Sequence, residues 1–453
     1  MCAYRTELAG SRGLELVAGD LSFPTSMTFA PDGALYVSEA GLGWGGAPPG
    51  GRIWKVKANG TRMLVADGLR DPVTGLTWHA EALFVSEGGC PGRISKVIPG
   101  EGRRTVLDNL PGGGNYHTNM VAFGPDDRLY FGQGAMTNSG IVGLDAYGLG
   151  WLRRLPHQHD LPGLEVTLAG VNVRTGNPLL EAEDAEAETG AFVPFGTKTS
   201  RGQRIKRQLP CTAAVMRCHS DGTNLELVAW GLRNAFGLGF LPDGRLLAID
   251  QGLDDRGSRP VGAAPDLLFH VRPCAWYGWP DFVGGQPISD GEYRPARGPH
   301  PSYILLNHTE LPDPEPALLR FPVHSAPTKF AVMPETYRAW AGHLCVALFG
   351  DERPLTAPKG PQTGRCIVRV DTQNWTWHPV FSGGHRISRP IDVQFHPVDH
   401  HLYILDFGYF EINGTAGLHA GAGTGRIYRL CERSLRRLME RPTHLDNRVV
   451  KDV

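Results

Sequence analysis

The chain reads Pro31-Asp32-Gly33-Ala34-Leu35-Tyr36-Val37 near its N-terminus, a tight turn that runs directly into an alternating strand. Proline presets φ for such a turn, aspartate caps it, and glycine adopts the positive φ. The alternating residues that follow are typical of a half-buried β-strand. The full pattern or a shortened version of it recurs six times. The copies are Pro31–Val37, Glu81–Val85, Pro125–Phe131, Pro242–Ala248, His343–Val346 and Val398–Ile404.

A strand of a second kind follows each copy, and four of the six examples open with Gly-Arg. These second segments are Gly51–Val56, Gly92–Val97, Ala214–Cys218, Asp266–Val271, Gly364–Val370 and Gly425–Leu430. Twelve matched segments in alternating order favour a radial repeat over a β-sandwich with coincidental turns. A ring of short sheets also protects the strand edges. The sequence therefore predicts an all-β, six-bladed β-propeller with long inter-strand insertions, formed by residues 1–453 as a single domain.

Two stretches carry no copy of the repeat and are predicted insertions, at about 141–209 and 281–320. A C-terminal tail is predicted at about residues 432–453. In propellers, insertions map to loops between strands and often build the binding face. We therefore expect substrate specificity to depend on these two excursions.

Charge and hydropathy limit the classes of function. With 45 Lys and Arg against 46 Asp and Glu, the net charge is −1, whereas a nucleic-acid partner requires a basic face. No window approaches 18 consecutive apolar residues, so no membrane span is predicted. The N-terminus lacks the basic and apolar segments of a signal peptide. By default this favours the cytoplasm.

Polar residues gather at blade entries, where a propeller funnel usually binds its ligands. No Gly-x-Ser-x-Gly elbow, His-Glu-x-x-His or P-loop is present, which disfavours those hydrolases and nucleotide enzymes. Three segments stand out, Gly112–Met120, Trp230–Leu238 and Asp250–Pro280. Within the third, Trp276, Tyr277 and Trp279 are interpreted as packing residues, and Asp254 and Asp255 as surface turn residues.

At these segments the sequence resembles the soluble quinoprotein aldose dehydrogenases, the glucose/sorbosone dehydrogenase family. The resemblance rests on Gly-Leu-Arg-Asn-x-x-Gly-Leu from Gly231, Tyr-Gly-Trp-Pro from Tyr277 and His-x-x-x-x-Ala-Phe-Gly-Pro-Asp from His117. It extends from about Phe23 to Phe407, except for the first excursion. The family has a six-bladed propeller fold, which agrees with the repeat count. It implies a small-molecule sugar or alcohol substrate, pyrroloquinoline quinone (PQQ) as cofactor, and oxidation of an aldose at C1.

The resemblance also implies roles for individual residues. His117 would be the catalytic base, and Arg233 would polarise the accepting quinone carbonyl. Asn234, Arg389 and Lys329 would bind the cofactor, Lys329 on sequence position only. A calcium site that orients the cofactor would use Asp266 and backbone carbonyls at Gln251 and Gly252, a set of oxygen ligands that suits this ion. The electron acceptor would be external, and the family is commonly periplasmic or secreted.

The sequence departs from the family pattern at several positions and leaves two alternatives open. A second cofactor-binding arginine is replaced by Ile391, and Tyr116 stands where the best-known members place an aspartate. The first alternative is a non-catalytic propeller that lost the cofactor and serves as a binding module. The second is a metal-dependent propeller enzyme, for which His157-x-His159 is the only histidine pair with ligand spacing.

Overall fold

A computed structural model describes residues 13–182, 184–382, 386–413 and 417–440. It contains six sheets of at least four strands each, arranged as a six-bladed β-propeller. The first strands of successive blades contact one another in a closed cycle and so line the central axis. The predicted fold class is confirmed.

The blades follow one another in chain order, apart from the outermost strand of the last blade. From the axis outward, the strands are Pro24–Phe29, Leu35–Glu39, Gly51–Val56 and Arg62–Leu69 in blade 1; Val73–His79, Ala82–Glu87, Gly92–Ile98 and Gly102–Leu110 in blade 2; Thr118–Phe123, Leu129–Gln133, Ala214–Cys218 and Glu226–Trp230 in blade 3; Ala235–Phe240, Leu246–Asp250, Leu267–Val271 and Leu319–Arg320 in blade 4; Pro327–Val332, Leu344–Leu348, Cys366–Asp371 and Thr376–Ser382 in blade 5; and Pro390–Phe395, Leu402–Asp406, Gly425–Leu430 and Leu14–Leu21 in blade 6.

The twelve predicted strands are the second and third strands of the six blades. In each blade the two pair antiparallel, as in blade 1, where Leu35 lies opposite Val56 and Glu39 opposite Arg52. The second strands are buried on both faces, because neighbouring blades pack against each side of them. The turn before each second strand therefore determines where the buried strand of the blade begins.

The N-terminal strand closes the ring. Leu14–Leu21 pairs antiparallel with Gly425–Leu430, so the last blade combines the first and last strands of the propeller. This pairing ties the two ends of the chain together through backbone hydrogen bonds, which protects an edge that would otherwise be open.

The excursions have small elements of their own. The first excursion contains the strands Val166–Thr167, Asn172–Gly176, Glu186–Gly190 and Arg204–Ile205 and the α-helices Leu144–Gly148 and Trp151–Arg154, and the second contains the strands Phe282–Val283 and Gln286–Pro287 and the 3-10 helix Gly291–Tyr293. Outside the excursions, the remaining short strands are Ala275–Trp276, Phe410–Asn413 and Gly417–Ala420, and the remaining helices are Trp44–Gly46, Glu335–Trp340 and Glu432–Met439. Residues 319 and 320, predicted within the second excursion, form the outer strand of blade 4. Of the predicted tail, residues 441–453 lie outside the described residues. No helix in the described part of the chain is both long and apolar enough to cross a membrane.

Candidate functional site

Loops of blades 3, 4 and 5 enclose a cavity of about 140 Å³ at one face of the propeller. The entry loop of blade 3 contributes Asn115 and Tyr116, and that of blade 4 contributes Arg233. The loop between the second and third strands of blade 4 supplies the segment from Gln251 to Asp266. Blade 5 adds His324 and a loop around Glu352. Polar groups from five separate parts of the sequence therefore face one space.

A buried carboxylate at the end of a second strand positions Arg233 and Asn234. Asp250 accepts the backbone N–H groups of Arg233, at 3.2 Å, and Asn234, at 2.6 Å. Burial raises the pKa of Asp250 to about 7. Blade 6 repeats the arrangement, since Asp406 accepts the backbone N–H groups of Ser388 and Arg389. A repeated feature of the blade thus sets the backbone of the predicted site residues.

All five N–H donors of the Arg233 guanidinium are bonded to protein acceptors. Nε and Nη2 donate to the backbone and side-chain oxygens of Asn138, at 3.3 and 2.8 Å. Nη1 donates to the carbonyls of Gln251, at 3.1 Å, and Gly252. Nη2 also donates to Asp254 Oδ2 at 2.6 Å. Arg233 lies at the cavity, as predicted, but it could polarise a ligand carbonyl only by exchanging one of these bonds.

Asp254 is the carboxylate of the cavity wall that pairs with two arginines. Its Oδ2 accepts from Arg233, from Arg256 Nε at 3.0 Å and from the Tyr116 hydroxyl at 3.3 Å. Burial opposes its ionisation, yet Arg233 and Arg256 hold the pKa of Asp254 below its usual value. The interpretation of Asp254 as a surface turn residue is wrong, because its side chain is buried between two arginines.

Asp266 holds two loops together. Its carboxylate accepts the backbone N–H groups of Gly252 and Ala326, both at 2.9 Å, and the Ser325 hydroxyl at 3.2 Å. Burial raises the pKa of this carboxyl group. The predicted calcium ligands do lie side by side, but the Arg233 guanidinium contacts the carbonyls of Gln251 and Gly252. This set of oxygen atoms does not fit calcium, because the Arg233 guanidinium already contacts two of the three predicted ligands.

Asn234 belongs to the same hydrogen-bonded cluster. Its Nδ2 donates to Gln251 Oε1 at 2.8 Å, and its Oδ1 accepts from Asn119 Nδ2 at 2.7 Å. Of the eight predicted site residues, five therefore meet at or beside the cavity, namely Arg233, Asn234, Gln251, Gly252 and Asp266.

Arg389 lies behind the cavity. It is fully buried, and its guanidinium donates to the backbone carbonyls of Gly350, Asp351 and Phe410 at 3.0, 3.1 and 2.6 Å. A further bond of 3.2 Å reaches Glu411. In this conformation Arg389 secures the loop of blade 5 that faces the cavity.

His117 lies on the blade 3 entry loop but does not line the cavity, whose wall its neighbour Tyr116 forms. Burial lowers the pKa of His117 to about 4. Its buried Nδ1 has no hydrogen-bond partner among the described residues. A histidine base is normally oriented by a bond to its second ring nitrogen. The role of His117 as the catalytic base stays a prediction, and the geometry around its ring lends it no support.

Lys329 crosses the central channel from blade 5 towards blades 1 and 2. Its ammonium group donates to the backbone carbonyls of Thr25 and Thr74, the latter at 2.8 Å, and lies 5.4 Å from the centre of the Phe236 ring. Burial lowers the pKa of Lys329 to about 8, and Asp392 partly offsets this. This lysine therefore ties blade 5 to blades 1 and 2.

The pKa of Lys329 predicts that stability depends on alkaline pH. Between pH 8 and 10.5 the unfolded chain keeps a proton that the folded chain has lost, so this group's contribution to the free energy of unfolding rises with pH. At about 1.4 kcal/mol per pKa unit, we expect a rise of about 3 kcal/mol. Urea unfolding at pH 7.5 and 10.5 measures it as the difference between the wild type and Lys329→Met. Parallel pH profiles for the two proteins would contradict the assignment.

Sequence reasoning missed four residues of the cavity wall as site residues, Tyr116, Arg256, His324 and Glu352. The adjacent acidic and basic side chains at Asp254–Arg256 were a visible signal, although turn chemistry gave a simpler interpretation. In the part of the chain that the structure describes, no group of three or more His, Cys, Asp or Glu residues is arranged to hold a metal ion.

Neither a protein-family model nor a curated protein sequence matches the chain. Solved structures do match. A PQQ-bound aldose sugar dehydrogenase from Streptomyces coelicolor superposes with a TM-score of 0.54 at 17% identity, over 92% of this chain and 96% of its own. An oxidoreductase from Thermus thermophilus, described as a glucose dehydrogenase, gives 0.51 at 21% identity, over 92% and 99%.

The holo form of the PQQ domain of a pyranose dehydrogenase from Coprinopsis cinerea matches with a TM-score of 0.54 at 15% identity, over 92% of this chain and 95% of its own. At such identities the likeness establishes the fold. The resemblance that the sequence motifs indicated is confirmed at that level, because proteins of this kind share the propeller over almost their whole length.

Proposed function

We propose that the chain is a sugar oxidoreductase that binds PQQ in the cavity between blades 3, 4 and 5. The observation that carries the proposal is the convergence of five motif residues on one hydrogen-bonded cluster at that cavity. Two of the solved structures that share the fold are described as containing PQQ or a PQQ domain, which supports the choice of cofactor. When bound, PQQ supplies a quinone that accepts two electrons.

The cavity wall offers the groups that an acidic quinone requires. The guanidinium groups of Arg233 and Arg256 both line it, and guanidinium groups bind carboxylate oxygens with two parallel bonds. Their charge is complementary to that of a cofactor with several carboxylates. Asp254 already neutralises both arginines, so the anionic cofactor must compete with this carboxylate.

The charged groups that line the cavity also indicate the class of substrate. Asp254, Asp266 and Glu352 face the cavity together with Arg233, Arg256 and His324. This mixture of acceptors and donors suits the hydroxyl groups of a neutral sugar or alcohol, which both donate and accept hydrogen bonds. An external acceptor must then remove the electrons from the cofactor.

Reconstitution tests the function. The purified protein is titrated with PQQ, with and without calcium, and dye reduction is followed with a panel of aldoses and simple alcohols. We expect equimolar quinone binding and quinone-dependent turnover. If the quinone neither binds nor supports turnover with any substrate, the proposed function is wrong.

Because Asp254 and PQQ would compete for Arg233 and Arg256, removing the charge of Asp254 should strengthen PQQ binding. Asp254→Asn removes the internal anion while keeping the shape of the side chain, and should free Arg233 and Arg256 for PQQ. A charge-assisted hydrogen bond contributes roughly 1.5–3 kcal/mol, so we expect affinity to rise about 10-fold or more. A fluorescence titration with PQQ measures it, and Asp313→Asn at an exposed position is the control. Unchanged or weaker binding by Asp254→Asn would show that Asp254 does not compete.

A second candidate is a propeller that binds a neutral sugar without a cofactor. Two observations favour it. All donors of Arg233 are already satisfied. Ile391, at the position of the missing arginine, is buried in an apolar cluster with Phe349 and Phe410. Calorimetric sugar binding without quinone binding would favour this candidate.

A further inference from the structure

A second cavity, of about 290 Å³, lies between loops of blades 1 and 6. The described residues that line it are Trp44, Gly45, Tyr409, Leu418, His419 and Ala420. The first two belong to the loop between the second and third strands of blade 1, and the other four belong to the corresponding loop of blade 6. Because neighbouring strands of a blade run antiparallel, such loops leave each blade at the face where the entry loops lie. The second cavity is therefore at the same face as the first, which lies between blades 3, 4 and 5.

The blade 6 wall of this cavity is the β-hairpin of Phe410–Asn413 and Gly417–Ala420. At its base the backbone N–H of Tyr409 donates to the Thr424 hydroxyl at 2.8 Å, and the Tyr409 carbonyl accepts from the N–H of Gly421 at 3.0 Å. These two bonds fix the backbone that carries the Tyr409 ring.

The blade 1 wall is held by packing. The Trp44 ring lies edge-on to Phe23, with centroids 6.0 Å apart, and is tilted against Phe410 at 5.5 Å. Gly45 follows with a φ of 54°, and a Cβ at this position would clash with the carbonyl of Ala420. Glycine therefore lets the blade 1 loop approach the hairpin closely enough for both to line one space.

Arg389 connects the hairpin to the first cavity. Its guanidinium donates to the Phe410 carbonyl at 2.6 Å and to Glu411 at 3.2 Å, both on the hairpin. It also donates to the carbonyls of Gly350 and Asp351 in the blade 5 loop, and Gly350 lines the first cavity. One buried side chain thus fixes the walls of the two cavities relative to each other.

The lining of the second cavity favours a neutral ligand with apolar faces. None of the six lining side chains is an acid, a lysine or an arginine, so a charged ligand would lose its water without gaining a counter-ion. Trp44 is half-buried and Tyr409 is 49% exposed. The faces of such rings are electron-rich and attract partly positive C–H groups.

The same lining also requires hydrogen bonds from its ligand. The Tyr409 hydroxyl and the His419 imidazole both donate and accept, and Nε2 of His419 has no partner among the described residues. An apolar protein segment would cover these groups without bonding them, which is costly. A sugar ring has C–H groups on its faces and hydroxyl groups around its edge. The volume is close to the lower limit for small-ligand sites, about 300 Å³.

We propose that the second cavity is a binding site for one ring of a neutral saccharide. The ring packs against Trp44 and Tyr409, and its hydroxyl groups bond to the Tyr409 hydroxyl and to His419. Binding at this site requires neither PQQ nor a ligand in the first cavity. A saccharide held there is kept at the face of the propeller where the proposed oxidation takes place.

Calorimetry with maltotriose, cellotriose and xylotriose, in the absence of quinone, tests the site. We expect the wild type to bind at least one of them, and Tyr409→Ala to weaken that binding about 10-fold through the lost aromatic contact and the apolar area it buries. Trp44→Ala should weaken it at least as much. Trp377→Ala, at a half-buried position on the outer strand of blade 5, is the matched control and should bind as wild type does. No binding by the wild type, or equal binding by Tyr409→Ala, would overturn the proposal.

Fluorine NMR of protein labelled with fluorotryptophan locates the bound saccharide. The Trp44 resonance is the one missing from the spectrum of Trp44→Phe, a variant that keeps an aromatic ring. We expect this resonance to shift when the saccharide is added and the Trp377 resonance to stay in place. If the saccharide binds while the Trp44 resonance does not move, it binds elsewhere and the proposal is overturned.

Two further outcomes are separable. Sedimentation that shows a dimer of the wild type, dispersed by Tyr409→Ala, would assign the surface to a second copy of the chain and overturn the saccharide site. None of these measurements contains PQQ. If the quinone fails to bind in the reconstitution but the saccharide shifts the Trp44 resonance, the proposed function fails and the second site stands.

Discussion

Replacing Arg233 by methionine should lower the free energy of unfolding by about 3–5 kcal/mol. The guanidinium is 2% exposed and donates to Asn138, to two carbonyls of the blade 4 loop and to Asp254. Methionine leaves these acceptors buried without their donors, and it leaves Asp254 with one arginine in place of two. Urea unfolding monitored by tryptophan fluorescence measures the loss.

Two further variants test the physical cause. Arg204→Met removes an exposed arginine that pairs with Glu165, and a pair of this kind contributes less than about 1 kcal/mol. The double variant Arg233→Met/Asp254→Asn removes both charges, so it should recover part of the stability that Arg233→Met loses. If Arg233→Met costs no more than Arg204→Met, the guanidinium does not hold the blade 4 loop.

The fold could be predicted because its strongest signals are local. Turn chemistry at Pro31–Gly33 and Pro242–Gly244 lies next to the strand that it starts, and the second and third strands of each blade followed from it. The pairing of Leu14–Leu21 with Gly425–Leu430 could not be read in the same way. It joins opposite ends of the chain, and the exposed outer strand lacks a clean alternation of buried and exposed residues.

The candidate site could be predicted only as far as backbone position determines it. Arg233 and Asn234 lie at a blade entry because of the repeat itself, and the carboxylate of Asp250 fixes their backbone. The direction of a long side chain depends on partners from other loops. Arg389 turns away from the cavity to three carbonyls, and Lys329 spans the axis. No local pattern contains those partners.

The interpretation of Trp276, Tyr277 and Trp279 as packing residues is correct, and the reason is visible in their chemistry. Trp276, Tyr277 and Trp279 are buried, and each indole or hydroxyl group donates to a backbone carbonyl. Large side chains with one polar atom pack well where a carbonyl is within reach. Glu352 and Tyr116 gave no such signal, because their surroundings come from blades that are distant in the sequence.

Asp281→Asn should be about as costly as the loss of Arg233, and its effect should reach the cavity. The carboxylate is completely buried. It accepts from Arg259 at 2.5 Å, from His308 Nε2 at 2.9 Å and from the backbone N–H of Leu305 at 2.9 Å. Asparagine keeps the shape but leaves the buried guanidinium of Arg259 without its counter-ion. The expected loss in the free energy of unfolding is about 3–5 kcal/mol.

The route from Asp281 to the cavity runs through Arg259. Its Nη1 donates to the Ser139 carbonyl at 3.0 Å, and the neighbouring Asn138 holds the Arg233 guanidinium. Loosening Arg259 should therefore weaken ligand binding as well as stability. Thermal unfolding and PQQ titration of Asp281→Asn measure the two effects, and Asp313→Asn, exposed in the same excursion, should change neither. A destabilised Asp281→Asn with undiminished PQQ affinity would show that the second excursion stabilises the fold without shaping the cavity.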